Sequence, residues 1–209
     1  SPGCADEWGN PLSAHSVEIR ADPMPSDGAR KMFRCVGPER SQDAREPRLT
    51  AMERPTPGPL RFCVFCGSSP GAGTRFSDLA AETGRALAEA GIGVVYGGAN
   101  RGLMGILADA ALEAGGEVHG VLPYGLQKLE VAHEGLTSLE IVDTLHERKA
   151  RMMELSRGFI ALPGGHGTLE ELFEVLTWLQ LEIHRWPVGV VNLDGFYDGV
   201  VAHLDRASE

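Results

Sequence analysis

The sequence predicts an α/β fold: a doubly wound parallel sheet with helices on both faces. Three observations predict it. From Leu60 onward, short apolar runs alternate with longer segments whose apolar residues recur at helical spacing. Many of the chain's 27 glycines fall at the ends of those runs, the punctuation of α/β chains. The regular strand–helix–strand order calls for right-handed crossovers, which cover both faces of a parallel sheet.

The elements follow in order. Phe62 to Phe65 is a short apolar run that ends in Cys66-Gly67-Ser68-Ser69-Pro70-Gly71. Phe76, Leu79, Ala80, Thr83, Ala86, Leu87 and Ala90 then recur at helical spacing, and Gly91 stops the helix. Ile92 to Tyr96 is the next strand, ended by Gly97-Gly98, and Leu103, Ile106, Leu107, Ala110 and Ala111 mark the second helix. Val118 to Leu122 is a strand stopped by Pro123; an irregular segment runs from Tyr124 to about Ser138. Leu139 to Val142 is a strand and Leu145 to Leu155 a charged helix. Phe159 to Leu162 is a strand, and Thr168 to about His184 a helix with Thr168 as its cap. Val188 to Val191 is the last strand, and Gly199 to Arg206 begins the last helix. The whole is Rossmann-like, and such sheets bind ligands outside the carboxyl ends of their strands. Three glycine-rich loops, after the first, second and fifth of these strands, fall at that edge.

Residues 1 to about 59 differ. They carry many prolines, charges of both signs and no sustained period, and read as a disordered or poorly packed N-terminal extension to a 60–209 domain. Met52 is a possible alternative start.

Composition narrows the function. A hydrophobic content of 43% suits a globular domain, and a formal charge of -10 disfavours nucleic acid or an anionic membrane as partner. No apolar run approaches the ~18 residues of a membrane span, and the N-terminus lacks a signal-peptide core. Of the four cysteines, Cys63 and Cys66 form a C-x-x-C inside a strand, without a second ligand pair. They read as buried structural thiols in a reducing, cytoplasmic compartment. His119, His133, His166 and His184 have no ligand-like spacing and read as surface or loop residues, so no metal is expected.

The most informative stretch is Ala161-Leu162-Pro163-Gly164-Gly165-His166-Gly167-Thr168-Leu169-Glu170-Glu171. A buried strand feeding a glycine loop into a helix N-terminus is where backbones hold phosphate. Thr168 and Glu171 also match a capping box, in which the acid only satisfies backbone donors. Against that reading, a plain turn rarely needs Gly164, Gly165 and Gly167 together. Gly67 and Ser68 of the first loop are further ligand candidates at the same edge. No acid ends the second strand to hold a dinucleotide ribose, so NAD is disfavoured. His146-Glu147-Arg148-Lys149 opens a helix there, and Arg148 is placed to hold phosphate or partner a carboxylate.

Taken together these residues resemble the LONELY GUY (LOG) family of cytokinin riboside 5′-monophosphate phosphoribohydrolases, often labelled lysine decarboxylases. Pro163 to Glu171 matches the family's P-G-G-x-G-T-x-x-E motif. Arg148-Lys149, Phe65 to Ser69 and Gly97 to Gly105 match its other motifs in order. The resemblance implies a catalytic pair, Arg148 and Glu171. It also implies substrate contacts from Glu130, Arg148, Lys149, Gly165, His166, Gly167, Thr168, Leu169, Glu170, Glu171 and Thr177. It implies a homodimer with a helix-built interface beside the active sites, and a further C-terminal strand and helix that this sequence lacks.

The expected reaction is hydrolysis of the N-glycosidic bond of an adenosine 5′-monophosphate, N6-substituted or plain, with no metal or organic cofactor. The products are a free base and ribose 5-phosphate. A non-catalytic nucleotide-binding module built on the same loops is the alternative. Lysine decarboxylation is a second one, and it needs a pyridoxal Schiff base.

Overall fold

The structure is a computed structural model that describes residues 17–20, 31–36, 59–126 and 132–207. In chain order the elements are β1 (Val17–Arg20), β2 (Lys31–Val36), β3 (Arg61–Phe65), α1 (Arg75–Glu89), β4 (Gly93–Tyr96), α2 (Gly102–Glu113) and β5 (Val118–Pro123). A single 3-10 turn (Tyr124–Leu126) follows, then β6 (Ser138–Val142), α3 (Leu145–Leu155), β7 (Phe159–Ala161), α4 (His166–Gln180), β8 (Val188–Leu193) and α5 (Asp198–Ala207).

The strands form one sheet in the order β1-β2-β8-β7-β3-β4-β5-β6. The six from β3 to β8 are parallel, as the strand–helix alternation requires. The chain runs outward from β3 through β4 and β5 to β6, then returns to lay β7 on the other side of β3. The connections leaving β3 and β7 therefore lead to helices on opposite faces. That reversal opens a crevice at the carboxyl ends of the two strands.

Strand alternation sorts the core into two layers. Val64, Val94, Tyr96 and Val118 face α1 and α2, where Leu79, Leu103 and Leu107 meet them. Cys63, Phe65, Val95 and Val190 face the other way, toward Met152 of α3 and Leu172 and Val175 of α4. Cys63 and Cys66 thus belong to different layers; both are buried, free thiols.

Three differences from the sequence expectation have physical causes. β1 and β2 lie within the first 59 residues, where no strand was expected. β1 pairs antiparallel with β2, and β2 antiparallel with β8. Val17-Glu18-Ile19-Arg20 does alternate apolar with polar, but over only four residues set among prolines and charges, and β2 satisfies the backbone groups along the edge of β8. The rest of that segment lies outside the described residues. α4 begins at His166, two residues before Thr168, because Gly165 supplies the extended cap conformation. It stops at Gln180 rather than near His184, whose ring turns back to bond the Val175 carbonyl at 2.8 Å.

Candidate active site

The site forms where the β7–α4 loop meets the start of α3. Leu162 and Pro163 are buried, whereas Gly165, His166 and Gly167 are exposed. No side chain caps the N-terminus of α4, so its first amides are left for solvent or a ligand. The three glycines have different reasons. A Cβ on Gly164 would lie 2.1 Å from the Thr168 hydroxyl and 3.0 Å from the Gly67 amide. Gly165 and Gly167 have nothing within 4 Å of such a Cβ. The first is dictated by packing; the other two border open space in front of the amides.

The Thr168–Glu171 capping box does not form. Thr168 lies inside the first turn, 4% exposed against Gly164, rather than at the cap. Glu171 instead accepts a hydrogen bond from Arg148 Nη2 at 2.6 Å, with both side chains nearly buried. A capping box forms at α3: Thr144 Oγ1 accepts from the Glu147 amide at 3.1 Å, and Glu147 accepts from the Thr144 amide. That box fixes the first turn of α3 and hence Arg148. Gly97 of the β4 loop clears the remaining space, since a Cβ there would stand 3.1 Å from Arg148 Nη2.

The electrostatics are those of a strained pair. Burial pushes the Glu171 carboxyl above the ordinary glutamate range, and the Arg148 guanidinium only partly offsets it. Arg148 Nε is buried without a hydrogen-bond partner, a donor still to be satisfied. Lys149 is held by Glu170 and by Glu174 at 3.0 Å. Burial opposes its charge, but the two carboxylates win and raise its pKa.

The expected site residues divide accordingly. Arg148, Lys149, Glu170 and Glu171 converge, beside the exposed Gly165, His166 and Gly167. Leu169 turns its side chain into the α3–α4 core layer. Gly67 is buried and acts as a clasp: its amide donates to the Pro163 carbonyl at 3.2 Å, and its carbonyl accepts from Leu103. Ser68 is exposed and lines a cleft of about 250 Å³ with Ser69, Gly164, Gly165, Phe76 and Phe196. Thr177 is exposed further along α4, and its hydroxyl donates to the Phe173 carbonyl at 2.7 Å. Glu130 lies outside the described residues.

Sequence reading missed Glu174, Phe196 and Tyr197. Glu174 carried a usable signal, four residues from Glu170 on the same helix face. The other two come from the β8–α5 turn, which nothing local links to the glycine loop.

Of the four histidines read as surface or loop residues, His119 instead lies within β5, while His133 and His184 are in loops as expected, though buried. His119, His133 and His184 are buried, bonded respectively to Ser138, Asp109 and the Val175 carbonyl. Among the described residues no three His, Cys, Asp or Glu side chains are grouped to hold a metal ion. No described helix is long and apolar enough to cross a membrane.

Comparison with known proteins identifies the family. A family model described as "possible lysine decarboxylase" matches residues 104–209. A probable cytokinin riboside 5′-monophosphate phosphoribohydrolase of Oryza sativa subsp. japonica is 50% identical over 147 residues, 70% of this chain and 60% of that protein. The cytokinin riboside 5′-monophosphate phosphoribohydrolase of Rhodococcoides fascians is 47% identical over 163 residues, 78% of this chain and 82% of that one. The chain thus spans about 60% of the length of the rice relative and most of the bacterial one. Among solved structures, a molybdenum cofactor carrier protein of Chlamydomonas reinhardtii matches 71% of this chain and 97% of its own. Its TM-score is 0.52 at 19% identity, a likeness of fold alone. On the paired Arg148 and Glu171, the glycine loop between β7 and α4, and these relatives, the chain belongs to the LOG-type family of that "possible lysine decarboxylase" model.

Proposed function

We propose that this chain hydrolyses the N-glycosidic bond of adenosine 5′-monophosphates, N6-substituted or plain, releasing the base and ribose 5-phosphate. The observation that carries it is the placement of Glu171, nearly buried and paired to Arg148, one turn along α4 from an uncapped N-terminus. The 5′-phosphate docks on the amides of Gly165 to Thr168, where the helix dipole and unpaired N–H groups favour an anion. Docking holds the sugar beside Glu171. As the C1′–N bond breaks, the electron pair leaves with the base, which takes up a proton from solvent, and positive charge builds on the sugar ring. Ionised Glu171 stabilises that charge and orients the attacking water. The water's oxygen bonds to C1′ and its proton leaves for the carboxylate or solvent. Arg148, already hydrogen-bonded to Glu171 through Nη2, keeps the carboxylate charged and in position, and its guanidinium holds ribose or phosphate oxygens.

Phosphate binding far from the reacting bond positions C1′, so the phosphate-free nucleoside reacts far more slowly. The test is chromatographic detection of free base from AMP and isopentenyl-AMP, with the nucleosides as controls. Similar kcat/KM for nucleoside and nucleotide refutes the mechanism. Glu171→Gln separates hydrolase from sensor: the hydrolase loses base release yet still binds the monophosphate.

The structure gives lysine decarboxylation no support at Lys149. Its ammonium is held charged by two carboxylates, whereas a Schiff-base lysine must reach its neutral form.

The same reading includes a cytoplasmic homodimer. Phe173, Thr177 and Leu181 recur every four residues along and just past α4, and all are exposed. That stripe suits contact with a second copy and would carry Thr177 to the partner's site, since its own chain leaves it outside the cleft.

A further inference from the structure

A glycine loop that binds phosphate with bare amides has an ordering problem. Without side chains, Gly164 and Gly165 have more conformational freedom than any other residues, so the flanks must hold the loop in place. Two flanking ties run to the β3 side. The Leu162 amide donates to the Phe65 carbonyl at 2.9 Å, and the Gly67 amide to the Pro163 carbonyl at 3.2 Å. A third comes from the β8 side: the Tyr197 hydroxyl donates to the Leu162 carbonyl at 2.6 Å.

Tyr197 is itself held on several sides. It is 1% exposed, and its amide donates to Asn192 Oδ1 at 2.7 Å. Asn192 Nδ2 donates to Asp198 Oδ1, also at 2.7 Å. The turn that carries it is closed by the Phe196 amide on the Leu193 carbonyl and the Asp198 amide on the Gly195 carbonyl. The Phe196 ring meets the tyrosine edge-on at 4.9 Å. Burial also raises the phenol's pKa, so the hydroxyl stays a donor.

We propose that Tyr197 is the positioning residue of the phosphate loop: its hydroxyl, aimed by the β8–α5 turn, sets where the Gly165–Thr168 amides meet the anion. It touches neither substrate nor reacting atoms and acts through Leu162. A rigid support just behind a binding loop is what holds such a loop to sub-ångström placement. The assignment rests on the reading of this loop as the phosphate site.

Tyr197→Phe removes one oxygen and keeps the ring. The expected result is a dissociation constant for ribose 5-phosphate raised about fivefold, the worth of one ordinary hydrogen bond. KM for the nucleotide rises with it. The kcat/KM for the phosphate-free nucleoside stays within about twofold, because that substrate does not use the loop. Asp198→Ala, an exposed residue that releases Asn192, moves the same constants in the same direction by less. A merely structural tyrosine lowers Tm and depresses nucleoside and nucleotide turnover alike, and that pattern overturns the assignment. So does unchanged ribose 5-phosphate affinity in Tyr197→Phe. Calorimetry on ribose 5-phosphate needs no turnover. Weakened binding in the variant of a chain that releases no base sinks the hydrolase reading and leaves Tyr197 in its role.

Discussion

Gly164→Ala and Gly165→Ala differ by one position and are expected to fail in different ways. At Gly164 the added methyl would lie 2.1 Å from Thr168 Oγ1 and 2.7 Å from Thr168 Cβ, with the Gly67 amide nitrogen at 3.0 Å behind it. An ordinary contact of about 3.4 Å would require a shift of roughly 1.3 Å. Thr168 cannot easily supply it. It is β-branched and therefore stiff, and it sits buried in the first turn of α4. The loop must lift instead. Overpacking of this kind costs about 1–3 kcal/mol, which lowers Tm by several degrees. A misplacement of about 1 Å near a reacting group costs about 100-fold in rate. At Gly165 nothing lies within 4 Å of the new methyl, so Tm stays at the wild-type value. The methyl projects toward the space the phosphate must enter, so KM rises while kcat changes little. Thermal melts and steady-state base release from AMP and isopentenyl-AMP measure both variants. Wild-type kcat/KM in Gly164→Ala, or a larger loss of Tm in Gly165→Ala than in Gly164→Ala, refutes the reasoning.

The remaining predictions concern charge and thiols. Because burial raises the Glu171 pKa and the ionised form is the active one, kcat rises with pH through a midpoint above the ordinary glutamate value. A pH–rate profile with its acid limb at or below about 4.3 contradicts this. Arg148→Met leaves Glu171 buried and unpaired, which costs about 3–5 kcal/mol and moves the acid limb further upward. A uniform loss of rate with an unmoved limb would assign Arg148 to substrate contact alone. Lys149→Met removes a cation that favours ionised Glu171 and frees Glu170 to oppose it, so the limb moves up again, by less. Cys63 and Cys66 are buried, with pKa values pushed up by burial, so neither reacts readily with a thiol reagent until the chain is unfolded. Titration of either thiol in the native protein counts against their structural role.

Where the sequence reading held, the signal was local and repeated. The alternation from Phe62 to Val191 marks a buried parallel sheet because the interior strands β4, β5 and β8 are buried along their whole length, whereas the edge strand β6 is largely exposed. The glycines at Gly164, Gly165 and Gly167 were visible as a loop, although their separate reasons were not. Gly164 faces Thr168, and only coordinates distinguish that from the open space at Gly165. The Thr168–Glu171 capping box was a reasonable pattern that the fold did not use. Once Gly165 takes the cap position, Thr168 falls inside the helix and Glu171 is left for Arg148.

The amino-acid order by itself determined the strands and helices from β3 onward, the sheet edge at which the glycine loops gather, and the residue kinds at the loop between β7 and α4, since these depend on periods and turns a few residues long. The tertiary structure alone decided that Arg148 and Glu171 meet at 2.6 Å, that Lys149 is shared by two acids, and that Tyr197 braces Leu162 from 35 residues away. Each of those contacts joins segments that only the strand order of the sheet brings together, and no local pattern encodes the distance across it.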